Sequence, residues 1–350
     1  MSLTILDAPS AAQASGTETR LIDAFGRRLT YLRVSVTDRC NLRCAYCLPA
    51  DASFPFGDRD FLSVTEIEAI VGALARLGIR RVRLTGGEPL LRRDILEIAR
   101  RVKALPGIED LALSTNGTEL ERLAPALKDA GVDRVNVSLD SLDPDTFREI
   151  TRTGDVEQVW RGIEAALAAG LHPVKLNAVL LAQSNLNDLD RLVALTLDRP
   201  LSIRFIEMMP TASNQHLQPA EYISCDAIRA RIEERFGNLE PAGTLAARTG
   251  PAKAFRLAGA KGEVGFITPL SHTFCAECNR LRLTARGELR LCLFADRVFP
   301  LRPLLAAADP AGRETALEEE ILRVLQEKPA EHMLTQGNYG NLVSFMQIGG

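Results

Sequence analysis

The segment Cys40-Asn41-Leu42-Arg43-Cys44-Ala45-Tyr46-Cys47 places three thiols within eight residues, in the spacing Cys-x3-Cys-x2-Cys. It follows an apolar alternating run, residues 31–36, which predicts a β-strand. Three thiols on one short loop can ligate a metal ion or an iron–sulfur cluster. No Cys follows before Cys225 and no His before His172, whereas a structural zinc site normally has four protein ligands. A [4Fe–4S] cluster on these three thiols would leave one iron open to an outside ligand.

This spacing is typical of the radical S-adenosylmethionine (SAM) superfamily, which the segment resembles. The resemblance implies that Cys40, Cys44 and Cys47 hold a [4Fe–4S] cluster whose fourth iron is chelated by SAM. An electron from the reduced cluster would then cleave SAM to a 5′-deoxyadenosyl radical. Tyr46 would lie near the SAM adenine. On the residues alone, a zinc loop, incidental thiols and a packing role for Tyr46 stay open, because short motifs also arise by chance.

The composition is that of a globular protein with a sizeable core: 350 residues, 46% of them hydrophobic and 25% charged. A net charge of −3 argues against general nucleic-acid binding, and no apolar run is long enough to span a membrane. Residues 1–20 lack a basic start and a continuous apolar core, so we expect a flexible tail and no secretion signal. Six of the seven Cys form two triplets, which favours metal binding in a reducing cytoplasm over disulfides.

Strand-like and helix-like patterns alternate through residues 21–236 and predict six strand–helix units. The expected strands are 31–36, 81–84, 111–114, 134–139, 174–180 and 202–206, and the expected helices are 65–77, 92–104, 119–130, 156–169, 187–196 and 226–236. Both a flat doubly wound sheet and an incomplete (βα)6 TIM-like barrel fit this periodicity. The superfamily resemblance favours the α/β barrel.

The pattern changes at residue 237. Residues 237–262 are expected to form a loop or linker. Strands at 254–257, 263–268, 281–284 and 288–291, with helices at 301–307 and 314–327, then predict a smaller α+β module. The expected organisation is therefore a tail (1–20), a partial barrel (21–236) and a C-terminal module (237–350).

Unusual clusters follow the ends of five expected strands: the Cys loop, TGGEP (85–89), STNG (114–117), SLD (138–140) and EMM (207–209). In parallel α/β folds this edge of the sheet carries the site. The paired Gly86 and Gly87 would let a ligand approach the backbone, with their amides facing an anion. A tight strand-to-helix turn is the alternative.

A second thiol triplet consists of Cys275 and Cys278, with Cys292 fourteen positions further on. His272 lies three residues before Cys275, so by spacing a Cys3His zinc site and an iron–sulfur cluster are equally compatible. We favour a cluster, because the first triplet already indicates a cluster protein and because two arginines follow this one.

Those arginines, Arg280 and Arg282, flank one Leu and point the same way on a strand, as suits an anionic or purine ligand. A solvated charged face is the usual alternative. Cations within apolar strands are costly to bury without an anion, although each alone could form a salt bridge. The expected barrel strands contain four such cations: Arg33, Arg83, Lys175 and Arg204. Together these four predict a polyphosphate ligand.

The motifs CNLRCAYCLP, VRLTGGEPLLR, STNG, RVNVSLDSLD, RFIEMMP, FCAECNRLRL and LCLF, ending in Gly-Gly, occur in this order. From about residue 21 onward they resemble the GTP 3′,8-cyclases, radical SAM lyases of molybdenum-cofactor biosynthesis. The resemblance implies two [4Fe–4S] clusters and SAM as cofactors. It implies GTP as substrate and (8S)-3′,8-cyclo-7,8-dihydroguanosine 5′-triphosphate as product. H3′ abstraction by the 5′-deoxyadenosyl radical would precede C3′–C8 bond formation.

The same resemblance assigns roles to individual residues. Around SAM it places Tyr46, Gly87, Ser138 and Met209. A second cluster, with its open iron at the guanine, would be held by Cys275, Cys278 and Cys292. The GTP contacts would be Arg33, Arg83, Ser114, Lys175, Arg204, Arg280, Leu281 and Arg282. Ser114 stands where many members have Thr and keeps the hydroxyl. The residues expected to matter directly for catalysis are Cys40, Cys44, Cys47, Arg280, Arg282 and the tail residues Gly349 and Gly350.

The implied partners are GTP, an external electron donor and a downstream cyclic pyranopterin monophosphate synthase; a homodimer is compatible with the resemblance. No nucleic acid or membrane partner is expected. Two alternatives remain on the sequence: another two-cluster radical SAM enzyme, such as one that modifies a peptide, and a metal-binding protein without catalytic activity.

Overall fold

One large sheet organises the computed structural model, which describes residues 20–49, 53, 57, 60–217, 219–243, 250–306, 309–332, 334 and 345. Its strands are β1 (Tyr31–Ser35), β2 (Arg81–Thr85), β3 (Asp110–Thr115), β4 (Arg134–Ser138), β5 (Lys175–Val179), β6 (Ser202–Ile206), β7 (Glu240–Pro241), β8 (Lys253–Arg256), β9 (Glu263–Ile267), β10 (Arg280–Leu283), β11 (Glu288–Arg290) and β12 (Phe299–Pro300). The α-helices are α1 (Val64–Leu77), α2 (Ile95–Ala104), α3 (Leu120–Asp129), α4 (Pro144–Thr151), α5 (Val156–Ala168), α6 (Leu189–Asp198), α7 (Cys225–Phe236) and α8 (Pro310–Leu325).

The strand order is β12-β11-β10-β1-β2-β3-β4-β5-β6-β9-β8-β7. From β10 across to β9 all neighbours are parallel, and the outer strands at both edges are antiparallel. Within the described residues the two edges do not pair with each other, as expected for an incomplete barrel. The register places Arg33 beside both Arg83 and Arg282, so these three cations share one face of the sheet.

Helix α1 illustrates how the sequence builds these units. Residues 63–66, Ser-Val-Thr-Glu, have the sequence pattern of a capping box. Ser63 and Glu66 form it, with each side chain hydrogen-bonded to the other residue's backbone N–H. Gly78, at φ 124°, ends the helix in a conformation that favours glycine. The apolar side of α1 is fully buried against the sheet, and each large side chain there contributes about 1.5–3 kcal/mol.

The six barrel strands and their following helices are confirmed, with ends within three residues of the expected ones. Three features differ. The sequence analysis missed α4, although Asp143 caps it and Pro144 opens it. It also missed the two-residue strands β7 and β12. The helix expected from residue 301 is a 3-10 helix over Arg302–Ala306.

The expected boundary at residue 237 falls between α7 and β7 and stays a prediction. Strands from beyond it extend both sides of the barrel sheet, because β9 pairs with β6 and β10 pairs with β1. Strand β10, which begins two positions after Cys278, is thereby paired directly with the first strand of the barrel. In the part of the chain described here, no helix combines the length and apolar character needed to cross a membrane.

Candidate active site

A single cavity lies at the C-terminal edge of the parallel strands. All five strand-end clusters contribute to its wall, through Cys40, Gly86, Asn116, Asp140 and Glu207 among others. The chain therefore brings these separate motifs together in space, as expected where parallel strands end side by side.

Most of the sequence-predicted residues line this cavity. They are both thiol triplets, then Tyr46, Gly87, Ser138 and Met209, and then Arg33, Arg83, Ser114, Arg204, Arg280 and Arg282. Lys175 is 4% exposed and lies outside the wall, and the Leu281 side chain packs in the hydrophobic core. Gly349 and Gly350 lie outside the described residues. Phe345, nearer the start of that tail, does line the cavity.

The first Cys loop is held by the C-terminal end of α4, the helix that the sequence analysis missed. The Arg43 and Ala45 N–H groups donate to the carbonyls of Thr151 and Ile150, at 3.0 and 2.9 Å. Arg152 Nη1 donates to the carbonyls of Arg43 and Leu48, at 2.8 and 2.9 Å. The loop is thus fixed from one side along most of its length.

The paired glycines hold the same loop from the other side. A Cβ on Gly86 would meet the Thr37 carbonyl oxygen at 2.5 Å, and one on Gly87 would meet the Arg39 oxygen at 2.2 Å. Gly87 N–H donates to the Thr37 carbonyl at 2.8 Å, so this amide does not face a ligand. The interpretation of the Gly87 amide as an anion donor is wrong. The glycines are needed because two backbones touch here.

Two polar residues connect the loop to neighbouring strand ends. Tyr46 Oη donates to Asp140 at 2.7 Å, and Asp140 also accepts from the Val179 N–H at 2.8 Å. Asn214 Nδ2, which the sequence analysis missed, donates to the carbonyls of Tyr46 and Met209, at 2.8 and 2.9 Å. Burial raises the pKa of Asp140 to about 6, although the hydrogen bonds from Tyr46 and Val179 act in the opposite direction. Tyr46 and Met209 are therefore positioned by shared contacts.

The first thiols lie in a carboxylate-rich environment. Burial raises the pKa of Cys40 to about 11 and that of Cys44 well above its usual range, with Glu88 and Asp140 adding to the respective shifts. Asn116 Nδ2 lies 3.9 Å from Cys40 Sγ. These thiols would ionise on binding iron, because metal ligation releases the proton.

The second triplet lies among cations. Arg27 Nη1 donates to the Cys275 carbonyl at 2.9 Å, and Lys328 Nζ donates to the Arg280 carbonyl at 3.2 Å. Burial raises the pKa of the Cys278 thiol, but the Lys328 ammonium and the Arg280 guanidinium outweigh it and bring the pKa to about 7. Neither Arg27 nor Lys328 carried a signal in the sequence, since each acts on residues distant in the chain.

His272 does not join the second triplet at the cavity. Its side chain is exposed, and its Nε2 lies 2.8 Å from Asp226 at the start of α7. The histidine on the cavity wall is instead His332, whose ring packs edge-on against Phe294 at a centroid distance of 5.7 Å. The sequence analysis missed His332, which follows Cys292 by forty positions.

The arginines of the cavity repel one another at close range. Burial and, to a smaller extent, neighbouring arginines lower the pKa of Arg204 to about 9 and that of Arg282 to about 10. Lys175, just behind the wall, has its pKa lowered to about 6 by burial and by Arg204 and other arginines. Among the described residues, Arg83 and Arg204 have no carboxylate within ion-pair distance.

Several polar atoms on the wall are buried without a hydrogen-bond partner in the described residues. They include Tyr31 Oη, Arg83 Nε and Ser114 Oγ. Leaving a buried polar atom unsatisfied costs about 1–3 kcal/mol. Together with the crowded arginines, these atoms make the cavity suited to a ligand that carries several negative oxygens.

Comparisons with known proteins identify the family. The radical SAM superfamily model matches residues 34–196, and the Molybdenum Cofactor Synthesis C model matches residues 201–334. The GTP 3′,8-cyclase of Pelotomaculum thermopropionicum is 46% identical over 334 residues, which cover 94% of this chain and 99% of that one. The chain belongs to the GTP 3′,8-cyclase family. The GTP 3′,8-cyclases of Moorella thermoacetica and Pseudomonas entomophila are 46% and 45% identical, again over 94% of this chain.

Solved structures agree on the fold of this family member. Streptococcus suis SuiB bound to S-adenosylmethionine superimposes with a TM-score of 0.57 at 15% identity, over 89% of this chain and 67% of that one. At this identity the likeness shows the radical SAM fold alone. Membership of the superfamily implies one [4Fe–4S] cluster and SAM. The Cys40, Cys44 and Cys47 thiols fit that requirement, because all three lie on the wall of the same cavity.

Proposed function

We propose that this chain is a GTP 3′,8-cyclase, which converts GTP to (8S)-3′,8-cyclo-7,8-dihydroguanosine 5′-triphosphate in the first step of molybdenum-cofactor biosynthesis. The observation that carries the proposal is one cavity whose wall contains both thiol triplets and several crowded arginines. Such a cavity can hold a radical source and a nucleotide together. Holding the two reacting molecules in fixed geometry is the largest contribution that the protein itself makes.

When bound to Cys40, Cys44 and Cys47, the first cluster together with SAM supplies a 5′-deoxyadenosyl radical for abstraction of H3′ from the ribose. The chain's own residues orient SAM. Tyr46 is held by Asp140, and Met209 by Asn214, so both present fixed surfaces to an adenosyl group. In the proposed site Gly87 and Ser138 complete this side of the cavity, Gly87 through its main chain.

We propose that Cys275, Cys278 and Cys292 hold a second [4Fe–4S] cluster facing the guanine. The position of His272 argues against the Cys3His zinc site that the sequence spacing allows, because its ring is hydrogen-bonded to Asp226 and lies away from the cavity. Three thiols without that histidine leave an open coordination position. An open iron is a suitable ligand site for a purine nitrogen.

The proposed GTP site uses the cations on the wall of the same cavity. Arg33, Arg83, Arg204, Arg280 and Arg282 line it, and their mutual repulsion would be relieved by a triphosphate. Ser114 Oγ has no partner among the described residues and can donate to the nucleotide. Lys175, behind the wall, would take up a proton when the phosphates bind and act on them through that charge, and Leu281 would act through its main chain.

The C-terminal tail is proposed to complete the site. Phe345 packs with Phe294 and Leu334 in a small hydrophobic cluster that Cys47 and Met209 also contact. The tail therefore reaches the cavity five residues before its end. We propose that Gly349 and Gly350 enter the active site from there.

The proposed setting follows from the chemistry. A chain with seven cysteines and oxygen-sensitive clusters suits a reducing cytoplasm. An external reductant must supply the electron for SAM cleavage, and a cyclic pyranopterin monophosphate synthase would consume the product. A homodimer is compatible with this proposal.

The test is to reconstitute the full chain anaerobically and to measure 5′-deoxyadenosine with SAM and a strong reductant, adding GTP, ATP or no nucleotide. We expect strong stimulation by GTP alone, because only guanine presents the purine face that the proposed second cluster and the arginines would recognise. The cyclic product, measured in the same reaction by mass spectrometry, should accumulate in step with 5′-deoxyadenosine.

Two results would contradict the proposal. SAM cleavage at the same rate with and without GTP would agree with the radical chemistry but would contradict the cyclase activity. Absence of cleavage in protein with a full complement of iron would remove the catalytic assignment. Neither result would alter the family assignment, which rests on the sequence relatives.

A further inference from the structure

Lys328 is a buried lysine beside the second thiol triplet and follows the last turn of α8. It is 3% exposed. Its Nζ donates to the Arg280 carbonyl at 3.2 Å and also to the Leu291 carbonyl. Arg280 follows Cys278 by two positions, and Leu291 directly precedes Cys292. The ammonium group therefore bridges the two chain segments that carry these thiols, and it lies outside the cavity wall.

No carboxylate within the described residues forms an ion pair with Lys328, whereas Arg297 and Arg323 nearby each pair with Glu327. Burying an ammonium group without a negative partner is costly, and two carbonyl dipoles offset only part of that cost. The charges that act favourably on Lys328 are those of the Cys278 and Cys292 thiolates. Because its two carbonyl partners lie within two positions of Cys278 and Cys292, the negative charge of a cluster held by these thiols would lie close to the ammonium group.

We infer that the Lys328 ammonium is the buried counter-charge of the second thiolate site, and that it raises the reduction potential of the cluster held there. The inference rests on the second cluster of the proposed function. A fixed positive charge near a cluster favours the reduced form, which carries one more negative charge. Lys328 is a positioning residue in this sense: it acts on the ligands and contacts neither GTP nor SAM.

The test isolates the second cluster in the full chain by replacing Cys40, Cys44 and Cys47 with Ala. In this background we compare Lys328→Gln, which keeps a donor for the carbonyls, with Lys328→Arg, which keeps the charge. The matched control is Lys128→Gln, because the Lys128 Nζ also donates to a main-chain carbonyl, that of Gly170, but from an exposed position. The measurements are iron content and an anaerobic potentiometric titration followed by electron paramagnetic resonance.

We expect Lys328→Gln to keep its iron and to shift the midpoint potential downward, while Lys328→Arg and Lys128→Gln stay at the parent value. An unchanged potential in Lys328→Gln with full iron would overturn the inference. A parent that binds zinc and no iron–sulfur cluster would overturn the second cluster of the proposed function as well, so the two failures are distinguishable.

If Lys328→Gln loses its cluster, its potential cannot be measured. Thermal unfolding of the metal-free proteins then distinguishes a counter-charge from a purely structural role of Lys328. The comparison is made well below pH 7, where the thiols are protonated and a counter-charge is superfluous, so metal-free Lys328→Gln should unfold there at the same temperature as its parent or higher. A lower unfolding temperature would show that Lys328 serves the backbone alone, and would overturn the inference.

Discussion

The two thiol triplets of this chain have the same number of ligands and opposite electrostatic surroundings. Buried carboxyl groups, Glu88 and Asp140, lie near the first triplet and oppose ionisation of its thiols. Near the second, Lys328 and Arg280 favour ionisation of Cys278. The difference matches the expected ligands, since SAM brings a sulfonium and an ammonium group whereas GTP brings a polyanion. Ligand count alone thus fails to distinguish sites that the surrounding charges separate clearly.

The largest expected effect comes from removing one ligand at each site. Cys44→Ala should abolish 5′-deoxyadenosine formation, because the cluster that binds SAM is lost. Cys292→Ala should retain SAM cleavage but make it independent of GTP, and should form no cyclic product. Each variant should hold half the iron of the wild type. The measurements are iron content and both products under anaerobic turnover.

Cys225→Ala is the matched control for both ligand variants, because Cys225 is a buried free cysteine away from the cavity, close to the carbonyls of Phe205 and Ile267. It should keep full iron and both products. GTP-dependent product from Cys292→Ala would contradict the proposal that the first triplet serves SAM cleavage and the second serves GTP binding.

A smaller effect is expected from the cations on the cavity wall. Arg204→Met removes one buried guanidinium, worth about 1.5–3 kcal/mol in a charge-assisted hydrogen bond, so KM for GTP should rise about 10- to 100-fold. The dissociation constant for SAM should stay unchanged. Arg235→Met, which removes an exposed arginine paired with Asp190, is the control and should alter neither value. Equal weakening of SAM and GTP binding would remove the proposed division of the cavity.

The smallest expected effect concerns how the free energy of unfolding of the metal-free protein depends on pH. One buried group near each thiol triplet should contribute, and the two contributions should have opposite signs. Burial raises the pKa of Glu88 from 4.5 to about 7. The folded state therefore holds a proton that the unfolded chain releases, and the free energy of unfolding should fall as pH rises across that window. For Cys278 the pKa is lowered from 9.0 to about 7. The stability it contributes is present above pH 9 and is lost as pH falls through 7.

Urea unfolding of the reduced, metal-free protein across this pH range checks both signs. Glu88→Gln should flatten the dependence of the free energy of unfolding on pH between about pH 4.5 and 7, because the amide stays neutral. Cys278→Ala should flatten it between about pH 7 and 9. Glu109→Gln changes an exposed carboxyl group and should leave both slopes intact. A slope that survives its own substitution would assign the proton to another group.

The sequence predicted what depends on local pattern. Alternation marked the six barrel strands, the capping box marked α1, and the Cys spacing marked both triplets. The supports of the site were missed because they join distant parts of the chain. Arg27 bonds to Cys275 across 248 positions, and Asn214 bonds to Tyr46 across 168. The Gly87 interpretation was wrong for the same reason, since the partner of its amide is Thr37, on another loop.

The pairing of β1 with β10 has a consequence for how the chain is made. One edge of β1 is covered by β2, but Tyr31 on the other edge meets its partner Arg280 about 250 residues later. At about 5–20 residues per second of synthesis, that edge waits roughly 12–50 s. During this interval the hydrophobic strand β1 has an unpaired backbone edge and lies next to three reduced thiols. Such an edge can pair with another chain and lead to misassociation. Yield on expression should therefore respond to slower translation and to chaperones more than to the stability of the finished protein.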